Sequence, residues 1–277
     1  MYRNLLVHIP TERSVRPAVD GSVSLAMICG AHLDAIATGF EPANLPLVAD
    51  GGAAIAPMFE VERERAFARA EAALRIFEIE ARNAGIRHHG RAISGTFTEV
   101  TSTVGAVARL HDLVVVSQAE PDRDTYDNQL PQELLLQAGA PLLFFPYPFR
   151  GAFRASRIGI CWDGSRLAAR ALHDAMPLLA QADTLTAITL NEREVPPEAS
   201  PAELAKYMAR IGLPVMTICL EAERGSVQPS LLSLAADERL DLLVMGGYGH
   251  ARLQEIIFGG VTREMFRSMT VPVLMSH

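Results

Sequence analysis

The chain has 277 residues, of which 49% are hydrophobic and 21% charged, so it can bury a sizeable core and global disorder is excluded. Domains run to about 100–200 residues, which favours two domains or one large one. The formal net charge of −7, with no run of basic residues, argues against nucleic acid as a partner.

No apolar stretch approaches the roughly 20 residues that a helix needs to cross a bilayer. Residues Met1–Pro10 also lack the hydrophobic core of a secretory signal. We therefore expect a soluble, cytoplasmic protein with no membrane partner.

Lysine and cysteine chemistry have few candidates in this chain. Only one of the 25 basic residues is a lysine, Lys206, and it has no motif around it. The Gly-Lys-Ser/Thr of a P-loop is absent. The cysteines Cys29, Cys161 and Cys219 are odd in number and widely spaced, so we interpret each as a buried apolar side chain rather than a disulfide or zinc ligand.

The same series of elements occurs twice along the chain. Each copy has an early apolar run before a helical pattern, a later apolar run that opens on aspartate, and a last run that contains proline. The pairs are Asn4–Pro10 with Arg157–Asp163, Asp112–Gln118 with Asp241–Gly247, and Ala140–Phe145 with Val271–Met275. The early runs are further apart than the later ones, so the amino-terminal copy contains extra residues, which we place around Glu41–Pro57.

Short apolar runs that alternate with helical patterns predict βαβ units and a parallel sheet. Val114–Val116 and Leu242–Met245 show no polar alternation, which is typical of strands covered on both faces. The proline-rich Phe145–Gly151 marks a domain boundary. The predicted fold is therefore α/β, with two tandem open parallel-sheet domains at residues 1–150 and 154–277 and helices on both sheet faces.

Two strands with a preceding proline are predicted to lie at sheet edges. Leu142–Phe145 follows Pro141 and Val273–Met275 follows Pro272, and proline is tolerated at edges. An open edge favours pairing with another strand. We expect these runs to pair and the two domains to form a pseudo-dimer, with a homodimer as a further candidate.

One glycine motif carries chemistry. Met245-Gly246-Gly247-Tyr248-Gly249 is followed by nine residues and then by Gly259-Gly260-Val261-Thr262. Glycines after a strand bring backbone N–H groups close to an anion. A glycine pair that opens the helical pattern Val261–Met269 adds free N–H groups and the positive end of a helix dipole. Together these features predict a phosphate site that needs no lysine.

The predicted sheet places a second group of residues near this motif. Ligands of open parallel sheets bind at the carboxyl ends of strands where the strand order reverses. If the first strand of the repeat lies beside the fourth, Asp163 and Gly246 end neighbouring strands. Asp163 then either accepts hydrogen bonds from a ribose or adenine, or serves as a turn and helix cap with Gly164 and Ser165. Trp162 is either core packing or the wall of an adenine pocket.

With these residues in place, both halves resemble the universal stress protein domain, over nearly the whole chain. The carboxyl-terminal half has that family's nucleotide-loop pattern, Gly-x-x-Gly, nine residues, Gly, then Ser or Thr. The resemblance implies an adenine-nucleotide alpha-hydrolase-like, Rossmann-like fold and an ATP, ADP or AMP ligand, with Mg²⁺ as its candidate companion. The implied binding residues are Trp162, Asp163, Met245, Gly246, Tyr248, Gly249, Gly259, Gly260, Val261 and Thr262.

The loop departs from the family at Gly260, where the pattern has Ser or Thr. A lost hydrogen bond to a charged partner is worth about 1.5–3 kcal/mol, which weakens binding tenfold or more. Gly260 keeps its backbone N–H, and Thr262 offers a hydroxyl nearby.

The amino-terminal copy departs further. Ser117–Glu120 stands where the other copy has its glycines, and Pro10 stands in place of Asp163. The carboxylates of Glu120, Asp122 and Asp124 would repel a triphosphate. We interpret this half as a degenerate copy that binds no nucleotide.

The remaining candidate residues have no clear chemistry. His88 and His89 are adjacent and point apart, so no metal site is expected there. His250, Arg252 and Arg263 flank the loop, as phosphate contacts or as surface residues. No catalytic residue is assigned. The first hypothesis is therefore a stress-response binding module, with a slow ATPase or a nucleotide-free scaffold and sensor as alternatives.

Overall fold

A computed structural model describes residues 1–41, 55–120, 123–190, 195–223, 226–247 and 259–277. Strands and helices alternate along the chain, as predicted. The first nine elements are β1 Asn4–Ile9, α1 Arg16–Cys29, β2 His32–Phe40, α2 Ile55–Asn83, β3 His88–Gly95, α3 Phe97–Ala108, β4 Leu113–Ser117, α4 Tyr126–Gln137 and β5 Leu142–Phe145. The others are β6 Arg157–Cys161, α5 Arg166–Leu179, β7 Thr184–Leu190, α6 Pro201–Arg210, β8 Met216–Leu220, α7 Val227–Asp237, β9 Leu242–Gly246, α8 Gly259–Ser268 and β10 Val273–Ser276.

The chain divides into two compact units. The amino-terminal unit is Tyr2–Ala140 with Tyr147–Ala152, and the carboxyl-terminal unit is Phe153–His277 with Pro141–Pro146. Strand β5 therefore groups with the carboxyl-terminal unit, although it precedes the boundary that the proline-rich segment predicts.

The amino-terminal unit contains four parallel strands in the order β3-β2-β1-β4. Leu5 of β1 pairs with Leu33 on one side and Leu113 on the other. Every residue of β4 is buried, as the lack of polar alternation in this run predicted. The first and fourth strands of the repeat are thus neighbours.

The carboxyl-terminal unit repeats this order with parallel strands β10-β9-β6-β7-β8. Strand β5 adds to β10 in the antiparallel direction, with Phe144 opposite Val273. The expected pairing of the two runs that follow proline is confirmed. The α/β, mostly parallel fold class is confirmed as well.

Strand β8 shows that the prediction of three buried cysteines is wrong for one of them. It pairs only with β7 among the described strands, and most of its side chains reach the surface. Cys219 on this strand is exposed, whereas Cys29 is buried as expected and Cys161 is partly buried. A position on an outer strand explains the difference, because one edge and much of both faces lack cover.

A long helix accounts for part of the extra length of the amino-terminal copy. Helix α2 has 29 residues, and its counterpart α6 has 10. Residues 42–54 of the predicted insertion lie outside the described residues. The Ala-rich sequence with Glu and Arg that follows Pro57 favours a long helix.

No helix within the described ranges combines the length and apolar character needed to span a membrane.

Candidate functional site

The strand order of the carboxyl-terminal unit reverses between β6 and β9. Ile160 pairs with Val244, so both strands end at the same edge of the sheet. The chain leaves β6 toward β7 on one side and leaves β9 toward β10 on the other. This divergence opens a crevice at the carboxyl ends of the two strands, which is where open α/β sheets bind ligands.

The turn after β6 is held by its own side chains. The Ser165 N–H donates to Asp163 Oδ1 at 2.9 Å, and Ser165 Oγ accepts from the Ala168 N–H at 3.1 Å. Gly164 has φ +70°, a left-handed conformation that side chains rarely adopt. The cap interpretation of this tripeptide is therefore correct, and Ser165 is the N-cap of α5.

Asp163 keeps one oxygen available beside this cap. Its side chain is exposed, and Oδ2 has no hydrogen-bond partner among the described residues. An ionised carboxylate oxygen accepts hydrogen bonds only. The cap and a ligand contact thus use different oxygens of the same residue and do not exclude each other.

Trp162 is fixed at two points beside Asp163. Its backbone N–H donates to the Ile188 carbonyl at 2.8 Å, and its indole Nε1–H donates to the Ala199 carbonyl at 2.8 Å. Ala199 closes a short 3₁₀ helix, Pro197–Ala199. The ring is partly buried, and its only hydrogen-bond donor is in use, so a ligand meets its faces and edges alone.

The end of β9 is shaped by close packing against α5. A Cβ on Gly246 would lie 2.8 Å from the Leu167 carbonyl carbon and 3.0 Å from the Ala168 nitrogen. Met245 before it is buried, and the Gly247 N–H donates to the Ser276 carbonyl at 2.8 Å. Close packing against α5 therefore favours glycine at position 246 independently of any ligand, and the sequence alone did not indicate this contact.

Helix α8 begins at Gly259, two residues before the predicted start at Val261. Gly259 and Gly260 thus belong to its first turn, where backbone N–H groups have no partner within the helix. Because α8 connects β9 to β10, this turn lies at the edge where β9 ends. Of the other predicted loop residues, Tyr248 and Gly249 lie outside the described residues, as does the side chain of Thr262.

Cys161 lies directly before the candidate site but is a poor nucleophile. Burial, with a smaller contribution from the charge of Asp163, raises its pKa to about 12. A thiol reacts as the thiolate. Cys29, in the amino-terminal unit, has its pKa raised to about 11 by burial.

The amino-terminal unit fills the equivalent edge with its own charged side chains. The Arg13 guanidinium is buried beyond β1 and donates to the carbonyls of Gln118, Ser117 and Asp127. Asp127 Oδ2 accepts from the Thr11 N–H at 2.7 Å. We call Arg13 and Asp127 the buried pair.

The sequence analysis did not predict the buried pair. Arg13 and Asp127 are 114 positions apart, and neither belongs to a known motif. The acidic residues that it did single out are engaged locally: Glu120 pairs with Arg123 at 3.3 Å, and Asp124 accepts from Gln129. Asp122 lies outside the described residues.

His8 lies against the buried pair at the end of β1. Its Nε2 is 2.8 Å from Thr38 Oγ1 and 3.7 Å from Asp127 Oδ1. Burial, and then the charge of Arg13, lower the pKa of His8 to about 3. Burial raises the pKa of Asp127 to about 6, although Arg13 opposes that shift.

The two adjacent histidines have separate surroundings. His88 Nδ1 lies 3.0 Å from the Ile86 carbonyl, and its ring packs edge-on against Phe77. His89 points to Asp34 at 3.9 Å. Within the described ranges, no three ligating side chains are arranged to hold a metal ion.

Residues 155–277 match the model of the universal stress protein family. Universal stress protein Slr1230 of Synechocystis sp. is 32% identical over 50 residues, which is 18% of this chain and 17% of that protein. Universal stress protein MJ0577 of Methanocaldococcus jannaschii is 29% identical over 72 residues, or 26% of this chain and 43% of that protein. The matched segments thus span less than half the length of either relative.

A solved structure extends the likeness to both units. The crystal structure of a universal stress protein from Archaeoglobus fulgidus superposes with a TM-score of 0.73 at 14% identity. The match covers 98% of this chain and 97% of that one. At this identity the match shows the fold.

Proposed function

We propose that this chain, whose residues 155–277 belong to the universal stress protein family, binds an adenine nucleotide in its carboxyl-terminal unit. ATP is the first candidate, and ADP and AMP are alternatives. Residues 1–150 and 154–277 are proposed as tandem domains, of which the first binds no nucleotide. The chain then acts as a regulatory module of the stress response.

One observation carries this proposal: the glycine motif follows the strand that borders the strand-order reversal. Gly246 ends β9 beside β6, and Gly259 and Gly260 open α8 at the same edge. The first turn of a helix combines free N–H groups with the positive end of the dipole, which favours an anion. A phosphate chain is the anion that the motif's length and position support best.

The described residues suggest a role for each part of a nucleotide. Asp163 Oδ2 would accept from a ribose hydroxyl or an adenine amine, and the Trp162 ring would pack against the base. The N–H groups of Gly259, Gly260 and Val261 would hold phosphate oxygens. Because no P-loop lysine is present, Mg²⁺ bound with the nucleotide would supply the remaining positive charge.

A slow ATPase is the second candidate function, since the same loop would hold the phosphates. Hydrolysis needs a positioned water in addition to bound phosphate. A nucleotide-free scaffold is the third candidate, and the missing hydroxyl at Gly260 favours it. These readings differ in two measurable quantities, the affinity for nucleotide and the rate of phosphate release.

Two measurements distinguish the three candidate functions: calorimetric titration with ATP, ADP and AMP, with and without Mg²⁺, and an assay of phosphate release. The binding module predicts saturable binding at one site per chain without phosphate release, and about tenfold tighter binding in Gly260→Ser, which restores the family's hydroxyl. Mg²⁺-dependent release of phosphate would favour the ATPase. No heat of binding in either protein would favour the scaffold.

A further inference from the structure

Helix α2 presents an unusual face to solvent. Its buried side chains repeat every three or four positions and face the sheet: Ala66, Ala70, Ala73, Leu74, Phe77 and Ala81. The opposite face repeats with the same spacing, and we call it the α2 stripe: Val61, Arg65, Ala68, Ala72, Ile76 and Ile79. Side chains three or four positions apart lie on one side of a helix, so the stripe is continuous.

The α2 stripe is apolar and exposed. Val61, Ile76 and Ile79 are 44%, 37% and 51% exposed, and Arg65 is its only charged residue. A helix on the surface of a globular protein normally carries polar residues on this face. Beyond Arg65 the row is apolar without interruption from Ala68 to Ile79, and an exposed apolar row of this kind is typical of a protein contact.

The stripe fits a second copy of itself. It has small residues in its middle and branched residues toward its carboxyl end. In an antiparallel arrangement centred near Ala73, Ala68 and Ala72 of one copy face Ile79 and Ile76 of the other. Large side chains packed against small ones allow two helices to approach closely.

Charges beside the stripe favour the same register. Glu64, Glu71, Arg75 and Arg82 lie along one flank, at spacings of seven, four and seven. Flanking positions of the same side meet when two identical helices run antiparallel. In the register centred near Ala73, Glu64 faces Arg82 of the second copy and Glu71 faces Arg75. Two-fold symmetry doubles these contacts, and all four join opposite charges.

The central charges are available for this contact. Glu71 and Arg75 are exposed, and neither makes an ion pair with the residues that the structure describes. Arg82 is exposed; its Nε donates to the Glu78 carbonyl at 3.1 Å, and its Nη2 is 4.0 Å from the Glu78 carboxylate, at the limit of an ion pair. Interhelical charge pairs of this kind set partner choice and orientation.

We propose that α2 is a homodimer interface, in which the α2 stripes of two chains pack antiparallel with Glu71 opposite Arg75. The occupant of the apolar face is thus a second copy of this chain. The inference uses only the amino-terminal unit and is independent of nucleotide binding. It also assigns a role to the extra length of α2, since α6 has too few residues to form such a stripe.

Sedimentation equilibrium of the full chain tests the interface through a charge exchange. Glu71→Arg places like charges in two symmetric contacts and should raise the dimer Kd about tenfold. Glu71→Arg/Arg75→Glu should restore the wild-type Kd, and an equimolar mixture of the two single variants should form a heterodimer. Glu60→Arg makes the same charge change on α2 outside the register and should leave the Kd unchanged.

Ala72→Glu provides a second test, because it places a charge in the middle of the apolar row and should dissociate the dimer. Circular dichroism establishes that each variant is folded. A monomeric wild-type chain overturns the proposal. A dimer whose Kd is unchanged by both Glu71→Arg and Ala72→Glu also overturns the proposal, since that dimer uses another surface. Failure of the double exchange to restore association overturns the register.

Discussion

Asp163 shows how one residue can serve the fold and a ligand at once. Oδ1 holds the turn that starts α5, and Oδ2 has no hydrogen-bond partner among the described residues. The sequence left cap and ligand contact as equal alternatives, because both favour an aspartate before glycine and serine. Only the separate surroundings of the two oxygens make both roles compatible.

Asp163→Asn tests the ligand role with the turn intact. Asparagine keeps an oxygen that accepts from the Ser165 N–H but loses the negative charge, so nucleotide affinity should fall about tenfold while stability is unchanged. Ser165→Ala is the matched variant: it removes the α5 cap and should lower the free energy of unfolding by about 0.5–2 kcal/mol without changing affinity. Equal losses of affinity in both variants would mean that Asp163 acts only through the turn.

Arg13 and Asp127 are predicted to stabilise the amino-terminal unit. Arg13→Met leaves the carbonyl groups of Ser117, Gln118 and Asp127 without their buried donor, and each buried group left unsatisfied costs about 1–3 kcal/mol. Arg123→Met serves as the control, because Arg123 is 55% exposed and its pair with Glu120 should contribute at most about 1 kcal/mol. Urea denaturation measures both, and similar small losses would show that the buried pair is not needed for folding.

His8 and Asp127 should give opposite pH dependences. The folded-state pKa of His8 is about 3, below its unfolded value, so its contribution to stability falls as the pH drops from about 6.5 to 3. The folded-state pKa of Asp127 is about 6, above its unfolded value, so its contribution is greatest at low pH and falls as the pH rises from about 4 to 6.

His8→Gln separates these two effects. Glutamine can still bond Thr38 but takes up no proton, so the variant loses only the acid-sensitive contribution. Its stability deficit relative to wild type at pH 6.5 should therefore shrink at pH 4.5, by at most about 1.4 kcal/mol per pH unit. A deficit in urea denaturation that stays constant or grows toward pH 4.5 would show that His8 is protonated in the folded protein.

At the scale of elements, the packing of α5 on β9 determines the shape of the crevice. Gly246→Ala would place a methyl group within 2.8 Å of the α5 backbone, so we expect a loss of about 1–3 kcal/mol in unfolding free energy. Gly105→Ala in α3 is the control, because its Cβ would have no neighbour closer than 3.7 Å. Thermal denaturation in which both variants behave alike would contradict the close contact.

The sequence predicted the strands better than it predicted the polar interior. Runs such as Val114–Val116 lack polar alternation, and that local pattern is enough to identify a strand covered on both faces. That Gly246 ends the strand beside the one that leads to Asp163 also followed from the repeat and the strand order. Burial of Arg13 depends on carbonyl groups more than 100 positions away, and no local pattern reports such contacts.

At the scale of the whole molecule, the two units have different residues at the equivalent edge, the one where the carboxyl ends of their parallel strands lie. The carboxyl-terminal unit has glycines and an available carboxylate oxygen there, whereas the amino-terminal unit has the buried pair and His8. This difference supports the proposal that a tandem chain has one nucleotide site. The α2 stripe is likewise confined to the amino-terminal copy, because α6 has too few residues to form one.

The nucleotide content of the purified chain tests the central claim most directly. Protein purified without added nucleotide is denatured, and the released small molecules are identified by chromatography and mass spectrometry. We predict near-stoichiometric ATP, ADP or AMP from the wild-type chain and none from Gly249→Val, which removes a glycine of the motif. Wild-type protein that releases no nucleotide, and whose Trp162 fluorescence does not change on addition of millimolar ATP, would contradict the claim.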